Sequence, residues 1–119
     1  MKVIIADDSR MIRTIIEKVT SSLGYETLHA GNGQEVLDHL SEEGENVNLI
    51  LLDWNMPVMD GYSALKKIKQ NDKYKKIPVL MISTEAEEEK VQRVMNEGAI
   101  GYISKPFTPE ELEDVLKKV

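Results

Sequence analysis

Cysteine is absent from this chain, which excludes disulfide bonds, thiolate metal sites and thiol catalysis. Only two histidines occur, His29 and His39, and they lie too far apart in sequence to show the spacing of metal ligands. Long apolar runs are also missing: none approaches the ~18 residues of a membrane helix, and the N-terminus shows no signal-peptide pattern. We therefore expect a cytoplasmic protein without membrane insertion.

Positive charge is in the minority, with 15 basic against 21 acidic residues and a net charge of −6. Direct binding of nucleic acid would need a basic face, so this balance argues against such a role and leaves protein partners open. With 119 residues, 41% of them hydrophobic, the chain is long enough to bury a core. One domain over residues 1–119 is the expectation.

Five short apolar runs alternate with stretches of helical period. The runs predict strands at 3–6, 25–30, 49–52, 78–82 and 100–104. The helices are predicted from the N-cap Ser9 to a stop at Gly24, around 36–40, over 62–70, over 85–96 and onward from the cap Thr108. One face of the first helix carries Met11, Ile12, Ile15, Ile16 and Val19. The alternation predicts a (βα)5 fold, an open α/β sheet with parallel strands and helices on both faces.

Acidic residues follow two of these strands. Asp7 and Asp8 come after the first strand, and Asp53 comes after the third. In a doubly wound sheet, ligands bind beyond the carboxyl ends of the strands, and crowded carboxylates there favour a bound cation such as magnesium. The alternatives are ordinary: one aspartate of the pair caps a helix while the other is solvated, and Asp53 bonds the backbone of a turn.

Two further residues at the same edge of the sheet suggest an anionic ligand. Lys105 follows the fifth strand and would pair with Asp53 or with a phosphate oxygen, although a solvated loop lysine is the simpler interpretation. Ser83 closes the fourth strand, where its hydroxyl either caps a turn or donates to a phosphoryl oxygen. A carboxylate nucleophile, a metal and a phosphoryl group together form the leading hypothesis for Asp53.

Five segments in this order and spacing resemble the receiver domain of two-component response regulators. They are Ala6-Asp7-Asp8-Ser9, Leu52-Asp53-Trp54-Asn55-Met56-Pro57, Met59-Asp60-Gly61, Ile82-Ser83-Thr84-Glu85-Ala86 and Tyr102-Ile103-Ser104-Lys105-Pro106-Phe107. The resemblance covers essentially the whole chain and is greatest to the stand-alone chemotaxis (CheY-like) members. It implies a doubly wound, flavodoxin-like sheet of five parallel strands in the order 2-1-3-4-5.

The resemblance also implies a site. Asp53 would be the phosphoacceptor. Mg²⁺ (or Mn²⁺) would be bound by Asp8, Asp53 and the backbone carbonyl of Asn55, with Asp7 acting through water. Ser83 and Lys105 would hold phosphoryl oxygens, and the Lys105–Pro106 bond would be cis.

Two further roles follow from the same resemblance. Tyr102 would be an aromatic switch that changes rotamer together with Ser83, although a strand aromatic is more often plain packing. Asn55 and Glu85 match positions that tune hydrolysis of the acyl phosphate. At Ser83 the family frequently has threonine, so the coupling to Tyr102 is expected to be looser.

The implied partners are a sensor histidine kinase and a downstream protein that binds the helix 4–strand 5–helix 5 face. The protein would be a monomeric signalling switch and no enzyme, beyond catalysing its own phosphotransfer and dephosphorylation. Three alternatives stay open. The chain could belong to a larger regulator with a DNA-binding or enzymatic output domain, act as a phosphorylation-independent interaction module, or be an aspartate-nucleophile phosphatase. Asp53-Trp54-Asn55 lacks the second acid that such phosphatases generally carry.

Overall fold

The computed structural model describes residues 1–119, with five strands and five α-helices in strict alternation. The strands are β1 (Lys2–Ala6), β2 (Glu26–Ala30), β3 (Val47–Leu52), β4 (Val79–Ser83) and β5 (Gly101–Ser104). The helices are α1 (Arg10–Ser22), α2 (Gly33–Glu43), α3 (Gly61–Lys69), α4 (Glu88–Asn96) and α5 (Pro109–Leu116), and a 3₁₀ turn spans Gly44–Asn46. None of the helices has the length and apolarity needed to cross a membrane.

The strands form one parallel sheet in the order β2-β1-β3-β4-β5, which confirms the predicted fold class and strand order. The chain moves outward from β1 to β2 and then crosses back to β3, so the strand order reverses between β1 and β3. At the carboxyl end of this pair, Ala6 lies in register with Leu52. Asp7 and Asp53 are therefore the first residues beyond the sheet at its topological switch point.

Each face of the sheet has its own apolar cluster, because successive strand residues point to opposite sides. One cluster joins Ile4, Ile50 and Leu52 to the buried residues of α2, α3 and α4. The other joins Ile5 and Leu51 to α1 and α5. Residues 49–52 are buried on both faces, as their continuous apolar run predicts.

Side-chain caps set the helix starts. The Ser9 hydroxyl accepts a hydrogen bond from the Ile12 N–H at 3.3 Å, and the Thr108 hydroxyl accepts one from the Glu111 N–H at 3.1 Å. Both predicted N-caps are thus confirmed. Asp60 caps α3 in the same way, with its carboxylate 2.7 Å from the Ser63 N–H. These bonds satisfy N–H groups that have no partner within the first helical turn.

Several details differ from the sequence predictions. Helix α2 extends beyond 36–40 at both ends, and β3 begins at Val47 instead of residue 49. Helix α4 begins at Glu88, three residues later than predicted, because the backbone and side chain of Glu85 bond to other parts of the protein instead of opening a helix. On α1, the apolar face is wider than the part that packs on the sheet. Ile16 and Val19 are buried, whereas Met11 is 70% exposed.

The turn after Pro57 holds an unfavourable backbone conformation. Val58 has a positive φ of 68°, and its side chain is 83% exposed, so no packing explains its identity. The Met59 N–H donates to the Pro57 carbonyl at 2.7 Å and closes a three-residue turn around it. A hydrogen-bonded three-residue turn with a positive φ is rare and strained, and glycine, which has no Cβ, adopts it at the least cost.

We expect Val58→Gly to raise the free energy of unfolding by about 1 kcal/mol, because relief of ~1–3 kcal/mol of backbone strain exceeds the ~1 kcal/mol of extra chain entropy that glycine loses on folding. Urea denaturation followed by the fluorescence of Trp54 measures the change. Val58→Thr is the matched control, since threonine is also β-branched and should leave stability unchanged. Equal stabilisation by the two substitutions would contradict the strain argument.

Candidate functional site

Three carboxylates meet at the switch point between β1 and β3. Asp7, Asp8 and Asp53 each offer an oxygen, and these oxygens all lie within 4.8 Å of one another. Asp7 is 2% exposed and Asp53 6% exposed, whereas Asp8 faces solvent. Their backbone positions extend the sheet: the Asp53 N–H donates to the Ala6 carbonyl at 3.0 Å, and the Asp7 N–H donates to the Ala30 carbonyl at 3.0 Å.

One ammonium group reaches into this cluster. Lys105 Nζ donates a hydrogen bond to Asp7 Oδ2 and lies 3.4 Å from Asp53 Oδ2. The end of the sheet fixes the backbone of Lys105, because its N–H donates to the Ser83 carbonyl at 2.9 Å. The Lys105–Pro106 bond is cis, as predicted. Three carboxylates and one ammonium leave a formal charge of −2, which matches a divalent cation.

The electrostatics of Asp53 fit a site built for a cation. Burial raises the pKa of the Asp53 carboxyl, and the charge of Asp7 raises it further. Lys105 and the nearby Ser83 hydroxyl lower that pKa and so oppose the rise. A divalent cation beside Asp53 would favour its ionised form, which is the nucleophilic one.

The available donor atoms suit a hard cation with oxygen ligands. Asp8 makes no side-chain hydrogen bond within the protein, and the main-chain carbonyl of Asn55 accepts none, so both are available as ligands. Asp7 differs from them. One of its oxygens accepts from the Ser9 N–H at 2.9 Å and the other from Lys105, so both already have partners.

Glu85 connects the loop after β3 to helix α4. Its Oε1 accepts a hydrogen bond from Asn55 Nδ2 at 3.1 Å, and its Oε2 lies 3.1 Å from Lys90 Nζ. The hydrogen bonds from Asn55 and Lys90 lower the pKa of the Glu85 carboxyl. The carboxylate is therefore held ionised beside the phosphoacceptor candidate.

Ser83 and Tyr102 approach the same loop from the sheet. Ser83 is fully buried, and its hydroxyl accepts a hydrogen bond from the Glu85 N–H at 3.4 Å. The Tyr102 hydroxyl donates to the Glu85 carbonyl, and burial raises the pKa of this phenol. The structure thus brings every predicted site residue to one edge of the sheet, with Tyr102 connected through the Glu85 backbone.

A cleft of about 700 Å³ opens over the carboxylates. One wall is polar and includes Asp8, Asn55 and Lys105. The other wall is apolar and includes Ile15 and Phe107, which explains why part of the α1 face is left unpacked. The nucleophile candidate therefore lies at the base of an open cleft that an incoming group can enter.

Sequence reasoning missed three residues of this site. Arg13 donates from α1 to the Asp7 carbonyl, and Lys90 contacts Glu85. Gly61 lies so close to Asp53 that an added Cβ would stand 1.9 Å from the Asp53 carbonyl oxygen. The spacing of Arg13, four residues after the cap Ser9, could have indicated a contact with the acidic turn. The other two contacts depend on tertiary structure.

The sequence and the fold both match known proteins. The sequence model of the response regulator receiver domain matches residues 3–117. The chain is 38% identical over 120 residues to chemotaxis protein CheY1 of Helicobacter pylori, covering 100% of this chain and 96% of that protein. It is 40% identical over 121 residues to the CheY homolog of Campylobacter jejuni, covering 98% of this chain and 92% of that protein.

Two solved structures share the fold over nearly the whole chain. Chemotaxis protein CheY4 of Vibrio cholerae superposes with a TM-score of 0.90 at 37% identity, covering 99% of this chain and 97% of that one. CheY in the CheX-CheY-BeF3-Mg²⁺ complex of Borrelia burgdorferi gives 0.93 at 28% identity, covering 99% and 87%. This chain therefore belongs to the response regulator receiver domain family, and within that family it is CheY-like.

Proposed function

We propose that this protein is the phosphoacceptor of a two-component system, phosphorylated on Asp53 by a sensor histidine kinase in a magnesium-dependent reaction. The observation that carries the proposal is the contact of Lys105 with Asp7 and Asp53 inside a three-carboxylate cluster at the switch point. Asp53 is a buried carboxylate beside the Lys105 ammonium, and the excess negative charge of the cluster is what one divalent cation would balance. Such a site is suited to accepting a phosphoryl group.

The proposed step transfers a phosphoryl group from a phosphohistidine or a small phosphodonor. An Asp53 oxygen attacks phosphorus, the new O–P bond forms as the bond to the imidazole nitrogen or the donor oxygen breaks, and the leaving group takes the electron pair. Lys105 turns from the carboxylates to a phosphoryl oxygen, and the Ser83 hydroxyl donates to another. The protein catalyses only its own phosphotransfer and dephosphorylation.

Asp8, Asp53 and the Asn55 carbonyl would hold Mg²⁺ or Mn²⁺, and Asp7 would act through water. The free oxygens of Asp8 and Asn55 and the two occupied oxygens of Asp7 support this division. The bound ion would neutralise charge on the phosphoryl oxygens and on the attacking carboxylate. The related Borrelia burgdorferi structure is a complex that includes BeF3 and Mg²⁺.

Asn55 and Glu85 are proposed to tune hydrolysis of the acyl phosphate. Their mutual hydrogen bond joins an amide to a carboxylate, and Asn55 lines the cleft above Asp53. Both groups can orient a water molecule, and both are held by contacts to different parts of the protein. The lifetime of the phosphorylated state would therefore depend on this pair.

The signal would leave through the α4–β5–α5 face. When Ser83 moves towards the phosphoryl group, Tyr102 loses a neighbour in the space beside the Glu85 loop and changes rotamer. Its hydroxyl bond to Glu85 couples that rotamer to the start of α4. Phosphorylation biases the two states only through their different affinity for the phosphoryl group, so a downstream protein on this face reads a shifted population.

A stand-alone chemotaxis-type regulator is the proposed context. The relatives named above are chemotaxis proteins, and 92–96% of their own length is covered by this chain. The Borrelia burgdorferi structure is a complex of CheY with CheX that includes BeF3 and Mg²⁺, so binding a second protein has a precedent among related structures. For this chain the partner would be a protein and not a nucleic acid, and the switch would act as a monomer.

Asp53→Asn should abolish phosphorylation, because an amide is not a nucleophile at this position. Incubation of the wild type with acetyl phosphate and Mg²⁺ should add the mass of one phosphoryl group, and chelation of the metal should prevent it. Intact mass spectrometry makes the measurement, with Asp60→Asn as a control that keeps an N-cap and the phosphoacceptor. A wild type that gains no mass would favour the phosphorylation-independent interaction module.

Lys105→Met should slow phosphorylation without weakening metal binding. The carboxylates lose their only ammonium contact, so Mg²⁺ affinity should stay equal or rise, whereas phosphorylation at saturating Mg²⁺ should slow on the order of 10- to 100-fold. Calorimetry gives the affinity, and the rate of mass gain gives the kinetics. Lys73→Met, at an exposed loop lysine, is the matched control. Weaker Mg²⁺ binding with an unchanged rate would contradict the role given to Lys105.

A further inference from the structure

Arg13 ties the acidic turn to the edge of the sheet. It lies on the first turns of α1, half-buried, with its own N–H bonded to the Ser9 carbonyl at 3.1 Å. Its Nη1 donates to the main-chain carbonyl of Asp7. Its Nε donates to His29 Nδ1 on β2 at 3.2 Å. One planar guanidinium therefore bridges the loop after β1 and the neighbouring strand.

His29 is itself held in place on that strand. Its Nε2 lies 3.2 Å from Glu17 Oε1, and its main-chain carbonyl is 2.7 Å from His39 Nε2. Because Nδ1 accepts from Arg13, the ring nitrogen facing Glu17 is the one that donates. The fixed imidazole gives Arg13 a defined acceptor, which orients the guanidinium towards Asp7.

The Asp7 side chain closes the acidic turn by accepting from the Ser9 N–H, but no side-chain contact fixes Asp8. Asp8 is exposed and makes no side-chain hydrogen bond within the protein. Its carboxylate is placed only by the direction of the backbone, and the peptide group between Asp7 and Asp8 sets that direction. The carbonyl of this peptide group is the atom that Arg13 holds.

We propose that Arg13 is a positioning residue for the metal site: it holds the Asp7–Asp8 peptide so that the Asp8 carboxylate faces Asp53. The proposal rests on the magnesium site proposed above. Arg13 itself does not ligate the metal, because a guanidinium is a cation with no acceptor atom. Its contacts are with the Asp7 carbonyl and with His29. Partners outside the ligand set commonly change metal affinity in this way.

Charge and positioning predict opposite signs for the same substitution. Arg13 is a cation close to a cation site, so by Coulomb repulsion alone its removal should tighten Mg²⁺ binding. If its role is positioning, removal should weaken binding. Arg10, an exposed arginine one turn earlier on α1, serves as the matched control for charge.

The experiment is a Mg²⁺ titration of the metal-free full chain, in which calorimetry and the fluorescence of Trp54 measure binding. Trp54 is the single tryptophan and directly follows Asp53. Arg13→Gln should weaken binding about 10-fold. Arg10→Gln should leave the affinity unchanged within about twofold or tighten it. Equal or tighter binding by Arg13→Gln would overturn the inference.

His29 provides variants that leave Arg13 and the core intact. His29→Leu removes the acceptor and should weaken Mg²⁺ binding in the same direction, whereas His29→Asn places an oxygen near the position of Nδ1 and should restore it. Hydrogen exchange at the Ser9 amide in metal-free protein is an independent readout, since this N–H is bonded to Asp7 Oδ1 in the acidic turn. Faster exchange is expected in Arg13→Gln and His29→Leu only.

The outcomes separate this inference from the proposed function. A wild type that binds no Mg²⁺ would overturn the magnesium site, and the inference with it. A wild type that binds Mg²⁺, together with unchanged affinity and unchanged Ser9 exchange in Arg13→Gln, would overturn the inference alone. Urea denaturation of each variant shows whether the fold is intact, and an unfolded Arg13→Gln leaves the decision to the two His29 variants.

Discussion

The crowding of three carboxylates against a single ammonium group is the constraint on which this structure depends. Burial of Asp7 and Asp53 would cost several kcal/mol for each unpaired charge, and Lys105 offsets only part of that cost. The pairing of β1 with β3 nevertheless fixes both carboxylates in place, because the residue after each strand still bonds to the neighbouring strand. The site is thus short of positive charge, and this shortage favours a cation beside Asp53.

Close backbone packing at the start of α3 also holds this arrangement in place. Gly61 begins α3 directly against the Asp53 carbonyl, and its N–H donates to the Trp54 carbonyl at 2.8 Å. Only a residue without a Cβ fits there, so the backbone of Asp53, the proposed nucleophile, packs against the start of a helix that Asp60 caps. The strain at Val58 lies in the same turn, so the loop that carries Asn55 is confined at both ends.

The alternating apolar runs predicted the strands, the helices and the edge of the sheet where Asp7, Asp53 and Lys105 meet, because a parallel sheet brings all carboxyl ends to one side. The strand order came from the family resemblance, since periodicity carries no information on which strands pair. The start of α4 was placed wrongly because four nearby glutamates favour a helix start at any of them, and only the tertiary contacts of Glu85 decide. Gly61 was missed for the same reason, because its role is a tertiary contact with the Asp53 backbone. Arg13 was missed although its spacing from the cap Ser9 places it one turn along α1 from the acidic turn.

The two sides of the site differ in how they are held, and this difference gives the proposed signal a direction. On the β2 side, Arg13, His29 and the sheet bonds of Asp7 fix the acidic turn. On the β4 side, Glu87 provides no side-chain cap for α4, and only its carbonyl joins the helix by accepting a hydrogen bond from the Val91 N–H at 3.0 Å. The segment 84–86 before it lies outside any helix or strand. Its position depends on Glu85, whose partners are Asn55, Lys90 and Tyr102. A new charge on Asp53 would therefore leave the acidic turn in place and act on the Glu85 segment, because that segment can move without breaking a helix or a strand. Since the same segment leads into α4 and bonds to β5 through Tyr102, we propose that a change at Asp53 would reach the α4–β5–α5 face first.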